Sequence, residues 1–335
     1  MKILQKIGID NFTLALVGAA LLATFLPVHD VWAEQFAYAT SAAVAALFFL
    51  HGVNLSREAM VAGLAHWRLH LVVLFSTFGL FPLLGLLAQL LPSTLLSPSL
   101  AAGILFLCCL PSTVQSSIAF TSIAHGNVAA AVCSASLSNL LGVFITPLMV
   151  SLLIKANGAV SLDSVGSIVL QILLPFAVGQ ACHGKLSGWT RRHKRVLGRV
   201  DRGSILMVVY GAFSAAVVDG LWRQMPLQSL AVMVLLDILL LGLVLWATAQ
   251  FGALAFFNLP DRIAVIFCGS KKSLASGMPM ANILFPPQMV GAVVLPLMLF
   301  HQIQLVACAV LARRFAVSTA AQVESGLKTA PLPPG

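Results

Sequence analysis

Two short polar clusters lie inside otherwise apolar sequence, and any chemistry this chain performs has to begin there. The first reads Leu107-Cys108-Cys109-Leu110-Pro111-Ser112-Thr113-Val114-Gln115-Ser116-Ser117. Proline lacks a backbone donor and clashes with the preceding turn, so a helix running through this stretch should break at Pro111. In a bilayer, freed backbone groups are tolerated only where they face protein or a water-filled cavity, and such a cavity is where a solute would bind. The alternative is a kinked packing helix whose hydroxyls bond back to their own carbonyls.

The second cluster reads Cys268-Gly269-Ser270-Lys271-Lys272-Ser273-Leu274-Ala275-Ser276-Gly277. A charge at mid-membrane costs about 2.5 to 3.5 kcal/mol on insertion scales, so Lys271 and Lys272 are functional candidates unless they snorkel from a helix end. Two interrupted helices would offer their half-helix N-termini, with free N–H groups and positive dipole ends, to an anion. Lys271 or Lys272 would add a full charge. Asp237 is the only acid deep within an apolar stretch, and a lysine of the second cluster is its expected partner, as a static bridge or as a titrating switch. Ser134, Ser136, Ser138 and Asn139 form a further polar face, equally consistent with binding and with hydrogen bonding between helices. His51, His70 and His301 read as satisfied packing groups, and the six cysteines as small packing residues, with no C-x-x-C pair. No motif supplies a nucleophile with a base, or a metal with ligands, so an enzyme is not expected.

The elements that position these clusters follow from composition. The 335 residues are 59% hydrophobic and 9% charged, with a mean hydropathy of +0.99, which is outside the range of soluble domains. A crossing needs about 20 apolar residues. Ten such stretches are expected: Asn11 to Pro27, Phe36 to Val53, His70 to Leu91, Pro98 to Ala124, Asn127 to Ile154, Leu162 to His183, Arg202 to Val218, Leu227 to Phe257, Asp261 to Leu284 and Gln288 to Leu311. The first is long enough to span and is read as a crossing, not as a cleaved leader.

Orientation follows from basic residues, which stay cytoplasmic near helix ends. With both termini inside, fifteen of the 19 Lys and Arg are cytoplasmic, Lys155 and Arg223 are outside, and Lys271 and Lys272 lie within the ninth crossing. The net charge of +9 thus belongs to membrane loops, and no basic stripe with interleaved aromatics suggests nucleic acid. The division expected is residues 1–184 for the first five crossings and the sixth, 185–201 for a basic cytoplasmic loop, 202–314 for the remaining crossings, and 315–335 for a disordered tail. Two five-helix halves must insert in opposite senses, the inverted-repeat plan of many secondary transporters.

Phe48-Phe49-Leu50-His51-Gly52-Val53-Asn54-Leu55, the Pro111 cluster, Gly126-Asn127-Val128-Ala129-Ala130-Ala131, Ile145-Thr146-Pro147-Leu148 and Ile266-Phe267-Cys268-Gly269-Ser270-Lys271-Lys272-Ser273-Leu274 together resemble the bile acid:sodium symporter family, solute carrier family 10. The closest likeness is to its divergent, member-seven-like branch with bacterial relatives, and it runs from roughly Leu14 to Arg314. The resemblance implies an all-α integral membrane protein in which helices four and nine are unwound and cross near mid-membrane. It also implies a core of helices three to five and eight to ten, moving against a panel of the other four. In the sodium-coupled branch, Ser116 and Ser117 would occupy ion-binding positions of helix four, with Ser134 and Ser136 near those of helix five. The ninth helix departs from that pattern: Phe267 stands where a sodium-binding glutamate would be, and Lys271 and Lys272 where a glutamine and an asparagine would be. A fixed ammonium would repel sodium and take its place electrostatically.

The expectation is therefore a secondary transporter of a small organic anion, working by alternating access in the cell (inner or plasma) membrane. Candidate binding residues are Pro111, Ser112, Thr113, Gln115, Ser116, Ser117, Ser134, Ser136, Asn139, Ser270, Lys271, Lys272 and Ser273, with Asp237 as charge partner. No cofactor is expected beyond Na+ or H+ as a coupling ion. The lipid bilayer and the anion are the expected partners, and oligomeric state is left open. The rival reading is a non-transporting regulator that keeps the transporter fold.

Overall fold

Backbone N–H and C=O groups find no water inside a bilayer, so a chain this apolar must satisfy them within helices or a closed barrel. The computed structural model takes the first course. It describes residues 11–54, 66–154, 174–218, 220 and 227–329, and among these there is no strand. The helices are α1 (Asn11–Phe25), α2 (Asp30–Asn54), α3 (Trp67–Phe75), α4 (Phe81–Ala88), α5 (Pro98–Cys109), α6 (Gln115–Ile123), α7 (Val128–Leu153), α8 (Leu174–Ala181), α9 (His183–Arg192), α10 (Lys194–Val218), α11 (Leu227–Leu254), α12 (Leu259–Gly269), α13 (Leu274–Leu284) and α14 (Pro287–Thr329). Among the described residues, six helical stretches are long and apolar enough to cross a membrane, one of them spanning α3 and α4 together. Large apolar side chains stand exposed around the molecule, Phe25, Trp32, Tyr38, Leu90, Leu227 and Phe256 among them. That is the surface a lipid-facing protein presents.

Two of the expected crossings are interrupted. α5 ends at Cys109 and α6 begins at Gln115; α12 ends at Gly269 and α13 begins at Leu274. A different interruption joins α3 to α4, where Ser76–Leu80 form a π-turn that tightens back into α-helix at Phe81-Pro82. α7 and α12 start side by side: Asn127 caps α7 and donates its amide to Asp261, while Asn258 caps α12.

The helices fall into two packed groups. α2 packs on α8, α9 and α10, and α1 on α10. Gly52 lies against the Phe176 carbonyl and Gly179 against that of Phe49, so a Cβ at either would strike backbone; small residues are what let α2 and α8 approach this closely. The second group holds α3 to α7 and α11 to α14, and α10 is the element that packs substantially on it, against α13 and α14.

Two expectations change, and a third falls largely outside the described residues. The segment 185–201, read as a loop, is helical: α9 covers its first part, and α10 starts at Lys194 and runs unbroken into the crossing expected from Arg202. The tail from Phe315, read as disordered, continues α14 to Thr329. The sixth crossing, expected from Leu162, lies largely outside the described residues, as do Lys155, Arg57 and Arg223.

Candidate functional site

The two interruptions meet through the backbone groups that each break sets free. At the end of α5, Pro111 has no N–H, and the Ser112 N–H donates to the Ser138 hydroxyl (3.0 Å), leaving the Cys108 carbonyl without its helical donor. The Cys109 carbonyl accepts from the Thr146 hydroxyl (2.8 Å). At the end of α12, the carbonyls of Phe267 and Cys268 accept from the hydroxyls of Ser117 (2.9 Å) and Ser112. The breaks are also joined directly, the Ser273 N–H donating to the Pro111 carbonyl at 2.9 Å. Asn139 of α7 bridges both, donating to the Ser112 carbonyl (2.7 Å) and accepting from the Ser276 hydroxyl (2.8 Å). Gln304 of α14 clamps the peptide of the second break, accepting from the Lys272 N–H (2.9 Å) and donating to the Lys272 carbonyl (3.0 Å).

The two lysines, adjacent in sequence and both fully buried, have opposite surroundings. The Lys272 ammonium donates to three carbonyls, those of Thr77 (2.8 Å), Cys108 (2.7 Å) and Leu110 (2.7 Å). Three donors meet three acceptors, and the Phe81 ring lies 4.1 Å away. The Thr77 carbonyl is available because of the π-turn. The Phe81 N–H reaches back to Ser76, and the next residue able to serve Thr77 in π register is Pro82, which has no N–H. The Lys271 ammonium has no hydrogen-bond acceptor. It sits over Phe120 at 4.4 Å and Phe267 at 5.4 Å, in the apolar cluster of α6, α12 and α14.

The expected lysine partner of Asp237 is not found. Asp237 is buried in α11, and neither of its carboxylate oxygens has a hydrogen-bond partner, while Lys272 is already saturated by carbonyls.

On the other side of the crossing lies a cavity of about 240 Å³. The N-termini of α6 and α13 open onto it through Gln115 and Ser116, and through Ser273 and Ser276. Thr113, Asn139 and His301 of α14 complete the polar wall, so His301 is a cavity residue and not only a packing group. Ser273 caps α13 by accepting from the Ser276 N–H, but the first turn of α6 carries no side-chain cap, so its donors remain available. The facing wall comes from the other helix group: Arg202 and Ile205 of α10 and Phe12 of α1, the guanidinium lying 5.7 Å from the Phe12 ring centroid.

Of the expected site residues, Thr113, Gln115, Ser116, Asn139 and Ser273 line this cavity. Pro111, Ser112, Ser117 and Ser270 lie within the crossing and hold it together, Ser270 bonding back to the Ile266 carbonyl (2.6 Å). Ser134 is turned away to His70 (2.6 Å), and Ser136 is half-buried on α7 and is not part of the cavity wall. Neither lysine lines the cavity. The charge expected there from Lys271 or Lys272 is supplied instead by Arg202, which sequence reasoning had left at a helix end. Gln304 was missed too. Its signal was the polar trio His301, Gln302 and Gln304 inside an apolar crossing.

Residues 10–317 match the model of the SBF-like CPA transporter family. An uncharacterised protein of Pseudomonas aeruginosa is 55% identical over 309 residues, covering 92% of this chain and 93% of its own. The Escherichia coli K12 protein named "Putative symporter YfeH" is 52% identical over 308 residues, covering 92% and 93%. The rat "Sodium/bile acid cotransporter 7" is 28% identical over 322 residues, covering 93% and 94%. The last two carry transporter names, and the family is one of transporters and not of enzymes. With the match spanning nearly its whole length, this multi-pass membrane chain belongs to the SBF-like CPA transporter family, within the bile acid:sodium symporter group.

Proposed function

We propose that this protein is a secondary transporter of a small organic anion whose cycle replaces a bound sodium ion with the tethered ammonium of Lys272. The observation that carries the anion reading is the cavity between the two helix groups, where the N-termini of α6 and α13 face the guanidinium of Arg202. Helix N-termini favour negative charge, and a guanidinium binds carboxylate or phosphonate through paired hydrogen bonds. A cavity of about 240 Å³ admits a small acid.

The lysine reading rests on coordination. Carbonyl oxygens converging on one point are what a hard cation requires, and here three of them converge on Nζ of Lys272. Sodium is in the name of the rat relative, and in this chain the cage described above is filled by the protein's own cation. Uniport, exchange or proton-coupled movement are the modes such a site leaves.

The proposed architecture has ten crossings in two inverted repeats, with α5–α6 and α12–α13 as the broken fourth and ninth. Both termini are cytoplasmic, in the cell membrane. Grouping of α1, α2, α8 and α10 against the remaining helices supports a panel rocking on a core.

The test is uptake into proteoliposomes, with a panel of small carboxylates and sulfonates offered in sodium, potassium or choline buffer. Uptake of one or more anions, equal in the three buffers, is the expected outcome. Strictly sodium-dependent uptake would overturn the lysine reading, and a panel with no transported anion, including efflux from preloaded vesicles, would overturn the anion reading.

A further inference from the structure

The corner between α9 and α10 carries charge for which the transport site has no use. Residues 183–200 contain six Lys and Arg and no acidic residue. The two helices are joined by the single residue His193, whose ring lies 4.7 Å from that of Trp189. Lys185, Arg192, Arg195 and Arg199 are exposed, and so are the apolar Trp189 (50%), Val196 (54%) and Val200 (41%). On α9, helical spacing puts Leu186 and Thr190 on the face packed toward α2, with Lys185, Trp189 and Arg192 on the other side. On α10, Arg195 and Arg199 are one turn apart on one stripe, and Val196 and Val200 form the next.

The position of this corner is set by the membrane. The stretch of α10 long and apolar enough to cross a membrane is Arg195–Val218, and its charged residues, Arg195, Arg199, Asp201 and Arg202, all lie in its first eight positions, so the corner stands at the polar end of that stretch. Three chemistries coincide there: guanidinium and ammonium groups at headgroup depth, an exposed indole suited to that depth, and valines facing the acyl layer. A solvated loop would need only the first. We propose that the α9–α10 corner is a binding site for an anionic diacyl phospholipid. Arg192, Arg195, Arg199 and Lys185 hold its phosphate, and Trp189, Val196 and Val200 lie along its glycerol and upper acyl chains. The basic cluster thus docks the end of α10, the helix that faces the transport cavity through Arg202.

The experiment uses the full-length protein in neutral detergent and measures binding of dioleoylphosphatidylglycerol, dioleoylphosphatidylcholine and glycerol 1-phosphate by native mass spectrometry and by competition with a fluorescent lipid. Each basic residue near an anionic headgroup contributes about fivefold, so phosphatidylglycerol should bind at least about tenfold tighter than phosphatidylcholine, and 0.5 M salt should remove most of that preference. The quadruple variant Lys185→Gln, Arg192→Gln, Arg195→Gln, Arg199→Gln should lose the preference while retaining its melting temperature in phosphatidylcholine. Exchange of the three arginines for lysine should retain most of it. Trp189→Ala should weaken both lipids severalfold without changing the salt dependence. Should the quadruple variant not fold, the single changes Arg192→Gln and Arg195→Gln, with the salt titration of the unaltered protein, decide the matter. Equal binding of the two lipids by the unaltered protein would overturn the proposal, as would a preference that survives removal of the four charges. Displacement of phosphatidylglycerol by an equal concentration of glycerol 1-phosphate would also overturn it, by making the site a reader of soluble phosphate.

Discussion

Lys271 and Lys272 offer a test in which neighbouring substitutions of the same kind are expected to act with opposite sign. Lys272→Met removes the donor from three buried carbonyls, those of Thr77, Cys108 and Leu110. Each carbonyl left without a donor costs about 1–3 kcal/mol, and partial hydration of the vacated space brings the expected loss to about 3–5 kcal/mol. Lys271→Met breaks no hydrogen bond, because the ammonium makes none. It forfeits contact with the Phe120 and Phe267 rings, about 2 kcal/mol, and relieves an unpaired buried charge. Replacing buried charge by a well-packed apolar side chain is often neutral or stabilising by about 1–4 kcal/mol. The assay is thermal unfolding of both variants at one scan rate, followed by intrinsic fluorescence, since unfolding here is compared as a ranking. A third variant sharpens the reasoning: Lys272→Ser empties the cage without filling it. If sodium then enters with a Kd on the order of 10 mM, 100 mM sodium would stabilise that variant by about 1.4 kcal/mol over choline, by mass action. The unaltered protein should show no such difference. Equal losses for the two Met variants, or a sodium-specific stabilisation of the unaltered protein, would refute the assignment of Lys272 as the resident cation.

Three further outcomes are expected. Arg202→Gln should raise the apparent Kd for a transported anion by at least about tenfold, the equivalent of one charge-assisted hydrogen bond, with melting temperature preserved; equilibrium binding to the purified protein reads this directly. Gly142→Ala would put a Cβ 2.6 Å from the Pro111 ring. Overpacking of that kind costs about 1–3 kcal/mol, and the strain falls on the crossing itself, so flux in proteoliposomes should drop more than stability does. Gln304→Ala strips both hydrogen bonds from the Lys272 peptide, at about 1–3 kcal/mol each, and should speed amide hydrogen exchange at the start of α13 while leaving α11 unchanged.

How far the sequence could be read depended on what breaks a helix and what turns a side chain. Pro111 announces the first break by its own chemistry. The second has no proline, and only the run of glycine, serine and lysine marked it. Proline also left a signal that was not used: Pro82 deprives Thr77 of a π-register donor, which creates the third acceptor for Lys272. That inference needs the register of the helix, and composition cannot give it. The adjacent lysines were equivalent in sequence because both lie in one short polar run, and without the course of the backbone nothing says which way either side chain points. Outside a helix, successive side chains diverge, and the 270–273 break sends Lys272 into the carbonyl cage and Lys271 among the phenylalanines. The expected bridge to Asp237 failed for a related reason. Opposite charges in one apolar environment suggest a pair, but three carbonyl oxygens complete the coordination of Lys272, and Lys271 is directed to the Phe120 and Phe267 rings and not to the carboxylate.

Arg202 shows how a helix that begins before its apolar run hides a cavity-lining residue. A seventh crossing that starts at Arg202 makes it a terminal charge that bears only on orientation. Because α10 begins at Lys194, Arg202 instead lies about two turns inside a continuous helix. Arg202 is itself exposed, and the cavity it lines is bounded on the other side by the N-termini of α6 and α13. The positive wall and the two dipole ends come from different helix groups, so any relative movement of those groups would change the separation of the charges proposed to hold the anion. In that arrangement the affinity of the cavity and the position of α10 are one variable, which is the coupling between binding and conformation that a transporter of this kind requires.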